Sequence, residues 1–261
     1  MEVIITHGNE IGELVADDIA QLLARNPRAV LGLATGSSPL RIYDAVASRV
    51  GRGEMSLAHA RAFTLDEYVG LPDGHPCSYR TVIEEDFVSR VDLPTTAVQG
   101  PDGGAAALDA ACASYEKAIR SAGGVDLQIL GIGTDGHIAF NEPSSSFASR
   151  TRVKTLTPQT RRDNARFFGD DIDAVPLHCL TQGLGTIMEA RHVVLVATGS
   201  GSGKAEAVQH LVEGAVSARW PGTILQHHPR VTVLVDEAAA SRLQLSDYYR
   251  HTYAHRPLVA R

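Results

Sequence analysis

Short apolar runs recur along the chain, and segments with helical periodicity separate most of them. The runs have the length of buried strands: Val3 to Thr6, Ala29 to Ala34, Ala60 to Leu65, Val125 to Leu130, His192 to Ala197 and Val231 to Val235. Apolar side chains at helical spacing predict helices at 9–25, 39–50, 79–91, 105–122, 183–190 and 204–214. Strands that alternate with helices indicate βαβ units. We therefore expect a three-layer αβα fold with a Rossmann-like, mostly parallel sheet and helices on both faces.

Composition restricts the class of protein further. The 261 residues include no linker rich in Pro, Gly or Ser and no internal repeat, so we expect a single domain over residues 1–261. The net charge of −6 argues against nucleic acid as a partner, because phosphate backbones attract basic surfaces. No apolar run approaches the ~20 residues that span a bilayer, which predicts no membrane partner.

The N-terminus and the cysteines predict a cytoplasmic protein. The start, MEVIITHGNE, lacks the basic region and cleavage site of a signal peptide. Cys77, Cys112 and Cys179 are too few and too scattered for a disulfide framework or a zinc cluster, so free thiols in a reducing compartment are expected.

Residues 131–143, GIGTDGHIAFNEP, concentrate glycines and polar side chains directly after a predicted strand. Asp135, His137, Asn141 and Glu142 all fall within this stretch. Two carboxylates around one imidazole can orient the ring for proton transfer, and glycines let the backbone approach a ligand closely. Ligands of open α/β sheets bind at the carboxyl ends of strands, so we predict an active site here.

Gly131, Gly133 and Gly136 also match the G-x-G-x-x-G pattern of dinucleotide-binding folds. That pattern needs a helix to begin at once, so that its N-terminus faces the pyrophosphate. Pro143 and the three serines that follow disfavour such a helix. We therefore expect no NAD, and a hydrolytic or isomerising site instead.

A second glycine-rich stretch, TGSGSGKAEA at 198–207, resembles a P-loop but departs from it at two positions. Thr198 stands where the P-loop has glycine, and Ala205 stands where it has the magnesium-binding hydroxyl. Lys204 at a helix start can contact a phosphate, or the stretch is an ordinary surface turn. His227 and His228 have no third ligand near them in sequence, so no metal site is predicted.

Two further strand ends carry polar motifs. In TGSSP, Ser38 is predicted as the helix N-cap with Pro39 at the first helical position, which gives an oxyanion site or a well-capped ordinary turn. In FTLDEYVGL, Asp66 and Glu67 are adjacent on an extended chain and point to opposite faces. One of them is expected to enter the cleft as a general base, unless both lie in a solvated loop.

A basic segment follows the His137 loop in this acidic chain. It contains Arg150, Arg152, Lys154, Arg161, Arg162 and Arg166. Such runs are usually solvated faces, but the position of this one predicts that part of it binds anions.

Four motifs in this order resemble one family: TGSSP, FTLDEYVGL, GIGTDGHIAFNEPSSSFASRTRVKTLT and GSGKA. The chain resembles glucosamine-6-phosphate deaminases, also called isomerases, roughly from Val30 to Asp236. 6-Phosphogluconolactonases of the same superfamily look similar at the phosphate loop and the GxDGH segment, whereas DEYVGL and FNEP favour the deaminases. The resemblance implies conversion of α-D-glucosamine 6-phosphate and water to fructose 6-phosphate and ammonia, without a redox or metal cofactor.

The resemblance also implies roles for individual residues. Asp66 takes the position of the base that moves a proton from C2 to C1. The ring-opening group comprises Asp135, His137 and Glu142, with His137 as the proton shuttle. The phosphate contacts match Thr35, Gly36, Ser37, Ser38, Arg166 and Lys204, although many family members have a second glycine where this chain has Ser37.

The family includes hexamers that N-acetylglucosamine 6-phosphate activates at subunit contacts, so a homo-oligomer is expected. Ser145, Ser146, Arg152 and Lys154 match positions of that allosteric site, and Tyr248, Tyr249 and Tyr253 are candidates for its aromatic tail. Three alternatives stay open: a deaminase for another amino sugar phosphate such as galactosamine 6-phosphate, a lactonase, and a non-enzymatic sugar-phosphate sensor. The presence of both Asp66 and His137 favours an enzyme over a sensor.

Overall fold

The computed structural model describes residues 1–199 and 203–256. In chain order its strands are β1 (Glu2–Ile5), β2 (Val30–Leu33), β3 (Arg61–Thr64), β4 (Asp66–Tyr68), β5 (Val98–Gln99), β6 (Leu127–Leu130), β7 (Arg152–Thr155), β8 (His178–Thr181), β9 (His192–Ala197) and β10 (Val231–Val235). Its α-helices are α1 (Gly8–Arg25), α2 (Ser37–Gly51), α3 (Tyr79–Asp86), α4 (Leu108–Ser121), α5 (Pro158–Asn164), α6 (Leu184–Ile187), α7 (Lys204–Glu213) and α8 (Ser246–Ala254).

A parallel sheet of seven strands forms the centre, in the order β1-β10-β9-β6-β2-β3-β5. From β2 the chain proceeds through β3 to the edge strand β5, and from β6 it proceeds the other way through β9 to β10. The direction therefore reverses between the neighbours β2 and β6. Crevices form at such a switch point, because the loops after the two strands diverge.

The sheet is the core of the molecule because its strands are apolar throughout. Every residue of β2, β6, β9 and β10 is buried, as expected for parallel strands that are covered on both faces. One cluster of buried apolar side chains extends from Val3 to Leu243. The predicted α/β fold with a mostly parallel sheet and helices around it is confirmed, while the single-domain assignment stays a prediction.

A smaller antiparallel sheet, β4-β8-β7, lies outside the central one. Residues after β7 form α5 and a 3-10 turn at Ala165–Phe167 before the chain returns in β8. A second apolar cluster lies at this sheet and includes Tyr68, Phe140 and Cys179. The segment between β7 and β8 is the part of the predicted basic region that reaches the cavity described below.

The helix and strand boundaries follow the sequence prediction closely in the central sheet and less closely elsewhere. The strands at 192–197 and 231–235 have the predicted ends. No helix or strand occurs between Leu130 and Arg152, so the prediction that no helix follows Gly136 is confirmed. The polar tail proves to contain α8, which has no buried residue. Among the described residues, no helix has both the length and the apolar character needed to cross a bilayer.

Candidate active site

A cavity of about 890 Å³ opens at the switch point of the sheet. The predicted site residues that line it are Thr35, Gly36, Ser37, Ser38, Asp66, His137, Arg166 and Lys204. They come from the ends of β2, β3 and β6, from the start of α7 and from the segment between β7 and β8. The structure therefore brings together residues that are up to 169 positions apart in sequence, from Thr35 to Lys204.

The loop after β2 presents the N-terminus of a helix to the cavity. Gly36 is the N-cap of α2, with φ of 101°, a left-handed value that side-chain-bearing residues rarely adopt. The prediction of Ser38 as N-cap is wrong: α2 begins at Ser37, because the glycine turn places the cap two residues earlier. The first turn carries no acidic residue, so its free amides and positive dipole end remain available to an anion.

Two cations meet at the same end of the cavity. Lys204 lies at the start of α7, and its ammonium donates a hydrogen bond to the carbonyl of Ile132. Burial and the nearby charge of Arg166 lower the pKa of Lys204, while Asp163 opposes this shift. Among the described residues, no carboxylate lies within ion-pair distance of either cation. Two cations without a carboxylate partner, beside a helix N-terminus, form an anion site.

Residues 200–202 of the glycine-serine turn before Lys204 lie outside the described residues. Its helix start is described: Gly203 is the N-cap of α7, with φ of 98°.

Asp66 begins β4, two residues after the end of β3, and its side chain faces the cavity. It is 7% exposed, and no described residue donates a hydrogen bond to its carboxylate. Burial, with the charge of Glu67 added, raises the pKa of Asp66 well above its ordinary value.

Glu67 points the other way, as the alternation of a strand predicts. Its carboxylate accepts hydrogen bonds from the amides of Tyr68, Tyr79 and Arg80 at 2.9–3.0 Å. Glu67 thus anchors the start of α3, and only one member of the acidic pair enters the cleft.

The His137 imidazole lies between two carboxylates. Its Nδ1 is 2.7 Å from Asp135 Oδ1 and 3.8 Å from Glu142 Oε2. Burial alone would favour neutral Asp135, but hydrogen bonding to His137 and the attraction of its charge prevail and lower the pKa of Asp135 to about 2. His137 reaches the cavity, whereas Asp135 and Glu142 lie behind it.

Local packing fixes this arrangement. Glu142 is buried, and its Oε1 accepts hydrogen bonds from Thr160 Oγ1 at 2.7 Å and from the Thr157 amide at 3.2 Å. A Cβ at Gly133 would overlap the His137 ring, so the ring packs directly on that glycine.

Proton transfer is one use of such a cluster, and metal binding is another. One ligand atom each from Asp135, His137 and Glu142 lies within 4.8 Å of the other two, which is close enough for an ion. The sequence predicts no metal, and this stays a prediction.

The four predicted effector residues lie outside the cavity lining. Arg152 donates hydrogen bonds to Asn141 Oδ1 at 3.0 Å and to Ser145 Oγ at 3.2 Å. Ser145 donates in turn to the carbonyl of Glu142 at 2.7 Å. Ser146 is exposed, and Lys154 is partly exposed on β7. Of the tail tyrosines, Tyr248 is 60% exposed, Tyr249 donates to Glu213 at 3.2 Å, and Tyr253 stacks with Arg256.

Sequence reasoning missed an aromatic wall of the cavity. Tyr68 and Tyr79 lie 4.9 Å apart, and Phe140 lies 5.9 Å from each of them. Asn164 donates to the Tyr68 hydroxyl at 2.9 Å. Tyr68 and Phe140 belong to motifs that the sequence already marked, so their proximity to Asp66 and His137 was the available signal.

The fold and the cavity together define an α/β protein with an anion site and an acid–base cluster at a switch point. Residues 7–234 match the family of glucosamine-6-phosphate isomerases and 6-phosphogluconolactonases, and the chain belongs to that family. It is 71% identical to a glucosamine-6-phosphate deaminase of Beutenbergia cavernae over 255 residues, covering 98% of this chain and 97% of that one. It is 68% identical to one of Mycolicibacterium smegmatis, covering 98% of each.

Solved structures agree with this assignment. One described as a monomeric glucosamine-6-phosphate deaminase matches with a TM-score of 0.89 and 40% identity, covering 92% of this chain and 99% of that one. A 6-phosphogluconolactonase from Trypanosoma cruzi matches with a TM-score of 0.72 and 21% identity, covering 93% and 97%, which is a likeness of fold.

Proposed function

We propose that the chain converts α-D-glucosamine 6-phosphate and water to D-fructose 6-phosphate and ammonia. The observation that carries the proposal is the presence, in one cavity, of two groups suited to proton transfer. One is the buried carboxylate of Asp66, to which no described residue donates, and the other is the imidazole of His137, whose Nδ1 lies 2.7 Å from Asp135. The relatives that are 52–71% identical are deaminases for this sugar, which favours the substrate. The enzyme belongs to amino sugar breakdown, in the cytoplasm.

The reaction begins with ring opening. His137 Nε2 gives a proton to the ring oxygen and takes up the proton of the C1 hydroxyl, which yields the open-chain amino aldehyde. Asp135 holds the imidazole at 2.7 Å, and Glu142 lies behind it. A general acid–base group of this kind contributes about 10²–10⁴ in rate.

Isomerisation and loss of ammonia follow. Asp66 removes the proton from C2 and returns it to C1, while one proton of the C2 amine passes to the C1 oxygen. The aldehyde thus becomes a hydroxymethyl group and the amine becomes an imine. Water adds to C2, and ammonia leaves to give the ketone. Burial of Asp66 without a hydrogen-bond donor makes its ionised form a strong base.

The phosphate anchors the far end of the sugar. The amides of Gly36, Ser37 and Ser38, together with Lys204 and Arg166, are proposed to hold it. Binding energy from this non-reacting group positions C1 and C2 for proton transfer.

An ammonia-release assay tests the proposal. We expect turnover of glucosamine 6-phosphate, with galactosamine 6-phosphate measured alongside and 6-phosphogluconolactone hydrolysis as the control. Ammonia from neither amino sugar would exclude the proposed reaction. Faster turnover of galactosamine 6-phosphate would identify that sugar phosphate as the substrate. Rapid lactone hydrolysis without ammonia release would favour the lactonase.

Assembly and regulation are a separate part of the proposal. We expect a homo-oligomer, with a hexamer as the family example, and activation by N-acetylglucosamine 6-phosphate through Ser145, Ser146, Arg152 and Lys154. Light scattering at assay concentration measures the mass. A sigmoidal rate curve that the effector makes hyperbolic would support the regulation, whereas a hyperbolic curve that ignores it would contradict it. A monomer would contradict the assembly.

A further inference from the structure

The Trp220 indole contacts the His137 loop from outside the cavity. A Cβ at Gly136, the residue before His137, would lie 2.6 Å from Trp220 Cε3, so the ring rests directly on that glycine. Trp220 is partly buried and does not belong to the cavity lining that the structure describes. Its contact is therefore with the loop and not with a ligand.

Main-chain hydrogen bonds join residues 217–223, which include Trp220, to both ends of the loop. The Gly222 amide donates to the carbonyl of Gly136 at 2.8 Å, and the Ser144 amide donates to the carbonyl of Ala218 at 2.8 Å. The two bonds span residues 136–144, the stretch that carries His137 and Glu142. We call residues 217–223 the supporting segment.

The supporting segment is itself tightly bonded. The Ser217 amide donates to Thr223 Oγ1 at 2.9 Å, and that hydroxyl donates to the Trp220 carbonyl at 2.7 Å. The Trp220 amide donates to the Ser217 carbonyl at 2.9 Å, and Thr223 is fully buried. These bonds place the indole in one orientation.

The supported loop needs such contacts because its backbone is strained. Ala139 and Ser144 have φ of 50° and 71°, in the left-handed region that residues with side chains rarely adopt. Backbone of this kind is strained and persists where its surroundings enforce it. No helix or strand lies between Leu130 and Arg152 to do so.

The same indole contacts the helix that supplies Lys204. The His210 ring on α7 stacks on Trp220 with centroids 4.0 Å apart and planes at 18°. Gln226, just beyond the supporting segment, donates to the Gly214 carbonyl at 2.8 Å at the end of α7. Trp220 thus lies between the helix of a phosphate contact and the loop of the acid–base group.

We propose that Trp220 is a positioning residue. It holds Gly136 and thereby keeps the His137 ring in its place beside Asp135 and the bound substrate. This inference rests on the proposed function for the role of His137. It requires no contact between Trp220 and the substrate, so it predicts an effect on kcat and not on phosphate binding.

The test compares Trp220→Ala with Trp220→Phe and with Arg219→Ala as the matched control. Arg219 is exposed, and its main-chain amide, which donates to Ser217 Oγ, is kept in the Ala variant. The variant loses only the stacking of the guanidinium on the Trp220 ring at 4.9 Å, so the hydrogen bonds of the supporting segment stay intact. For Trp220→Ala we expect kcat to fall about 10- to 100-fold, since small misplacements of a reacting group have effects of that size. KM for glucosamine 6-phosphate and the Kd of inorganic phosphate should change less than about threefold. Phe keeps a ring on Gly136 and should restore most of kcat.

A second measurement does not depend on turnover. Amide hydrogen exchange of residues 133–145 should accelerate in Trp220→Ala and not in Arg219→Ala, because the loop loses its support. Unchanged exchange together with kcat within twofold of wild type would overturn the proposal. So would a parallel loss of kcat, phosphate binding and Tm, which indicates general unfolding. If the wild-type chain releases no ammonia, the proposed function fails, whereas the exchange experiment still decides whether Trp220 supports the loop.

Discussion

The end of β3 and the end of β6 each place an aspartate at the cleft, and the two carboxyl groups differ in every respect that matters for chemistry. Asp66 is buried without a hydrogen-bond donor, and burial raises its pKa. Asp135 lies 2.7 Å from His137, which lowers its pKa to about 2. Of the two, only Asp135 has a hydrogen-bond donor among the described residues, so we expect the same side chain to act as a base at the end of β3 and to stay a fixed anion at the end of β6.

The two strand ends also differ in how they are held. Asp66 belongs to β4, whose residues pair in register with β8 and which Glu67 fixes to α3. The His137 loop pairs with no strand, so contacts at its glycines and hydrogen bonds to the supporting segment must hold it. Backbone pairing of β4 therefore fixes the position of Asp66, whereas packing fixes the position of His137.

The largest expected effect is that of Asp66→Asn. Loss of the base should lower kcat by about 10²–10⁴ while KM changes little. Because the pKa of Asp66 is raised in the folded protein, its ionisation destabilises the fold as pH rises above about 4. Asn removes that cost, so Tm at pH 7 should rise by about 2 °C or more, and the gain should vanish near pH 3. Steady-state kinetics measure kcat and KM, and calorimetry measures Tm. A near-normal kcat would refute the assignment of Asp66 as the base.

Asp135→Asn should have a smaller effect on rate and the opposite effect on stability. His137 remains, but without its anionic partner, and kcat should fall by about 10². A lowered pKa stabilises the fold above the ordinary value near 4, and this contribution disappears as pH falls toward about 2. The variant should therefore melt below wild type at pH 6, with a difference that shrinks between about pH 4 and pH 2. A rise in Tm at pH 6 would contradict the comparison.

Gly133→Ala tests the packing of the imidazole. The added methyl would overlap the His137 ring, which must move, and kcat should fall about tenfold. Gly51→Ala is the control, because a Cβ there meets nothing within 4 Å. Equal rates for the two variants would show that the ring tolerates displacement.

Glu67→Gln should leave kcat within about twofold of wild type, although the residue adjoins Asp66. Glutamine has an NH2 group in place of one of the two carboxylate oxygens that accept main-chain hydrogen bonds at the start of α3. The free energy of unfolding should fall by about 1–3 kcal/mol, measured by urea titration. A loss of kcat as large as that of Asp66→Asn would mean that both carboxylates work in the cleft.

Six of the seven strands of the central sheet could be predicted because they are short runs of mostly buried apolar residues. Its edge strand β5 could not, because it has two residues, and β7 of the small sheet could not, because it is half-exposed. The tail helix α8 has no fully buried side chain and packs only the partly buried Tyr249 and Tyr253 against the core, so its apolar stripe is weak. The N-cap at Gly36 was missed since glycine caps through its backbone angle, which no side-chain pattern reports.

The residues of the site likewise include some that the sequence predicts and one that it does not. Asp66, His137 and the phosphate loop lie in local motifs, so their convergence at strand ends follows from the fold class. Trp220 lies 84 residues from Gly136, and its contact depends on the space above a glycine. A contact of that kind has no signature in a single sequence.

The order of the strands has a consequence for how the chain is made. β1 precedes the other described strands in the sequence and pairs with β10, so Glu2 meets Thr232. About 230 residues must be synthesised before this edge of the sheet can close, and long-range pairing of this kind slows folding. During synthesis β1 therefore stays unpaired until β10 has emerged.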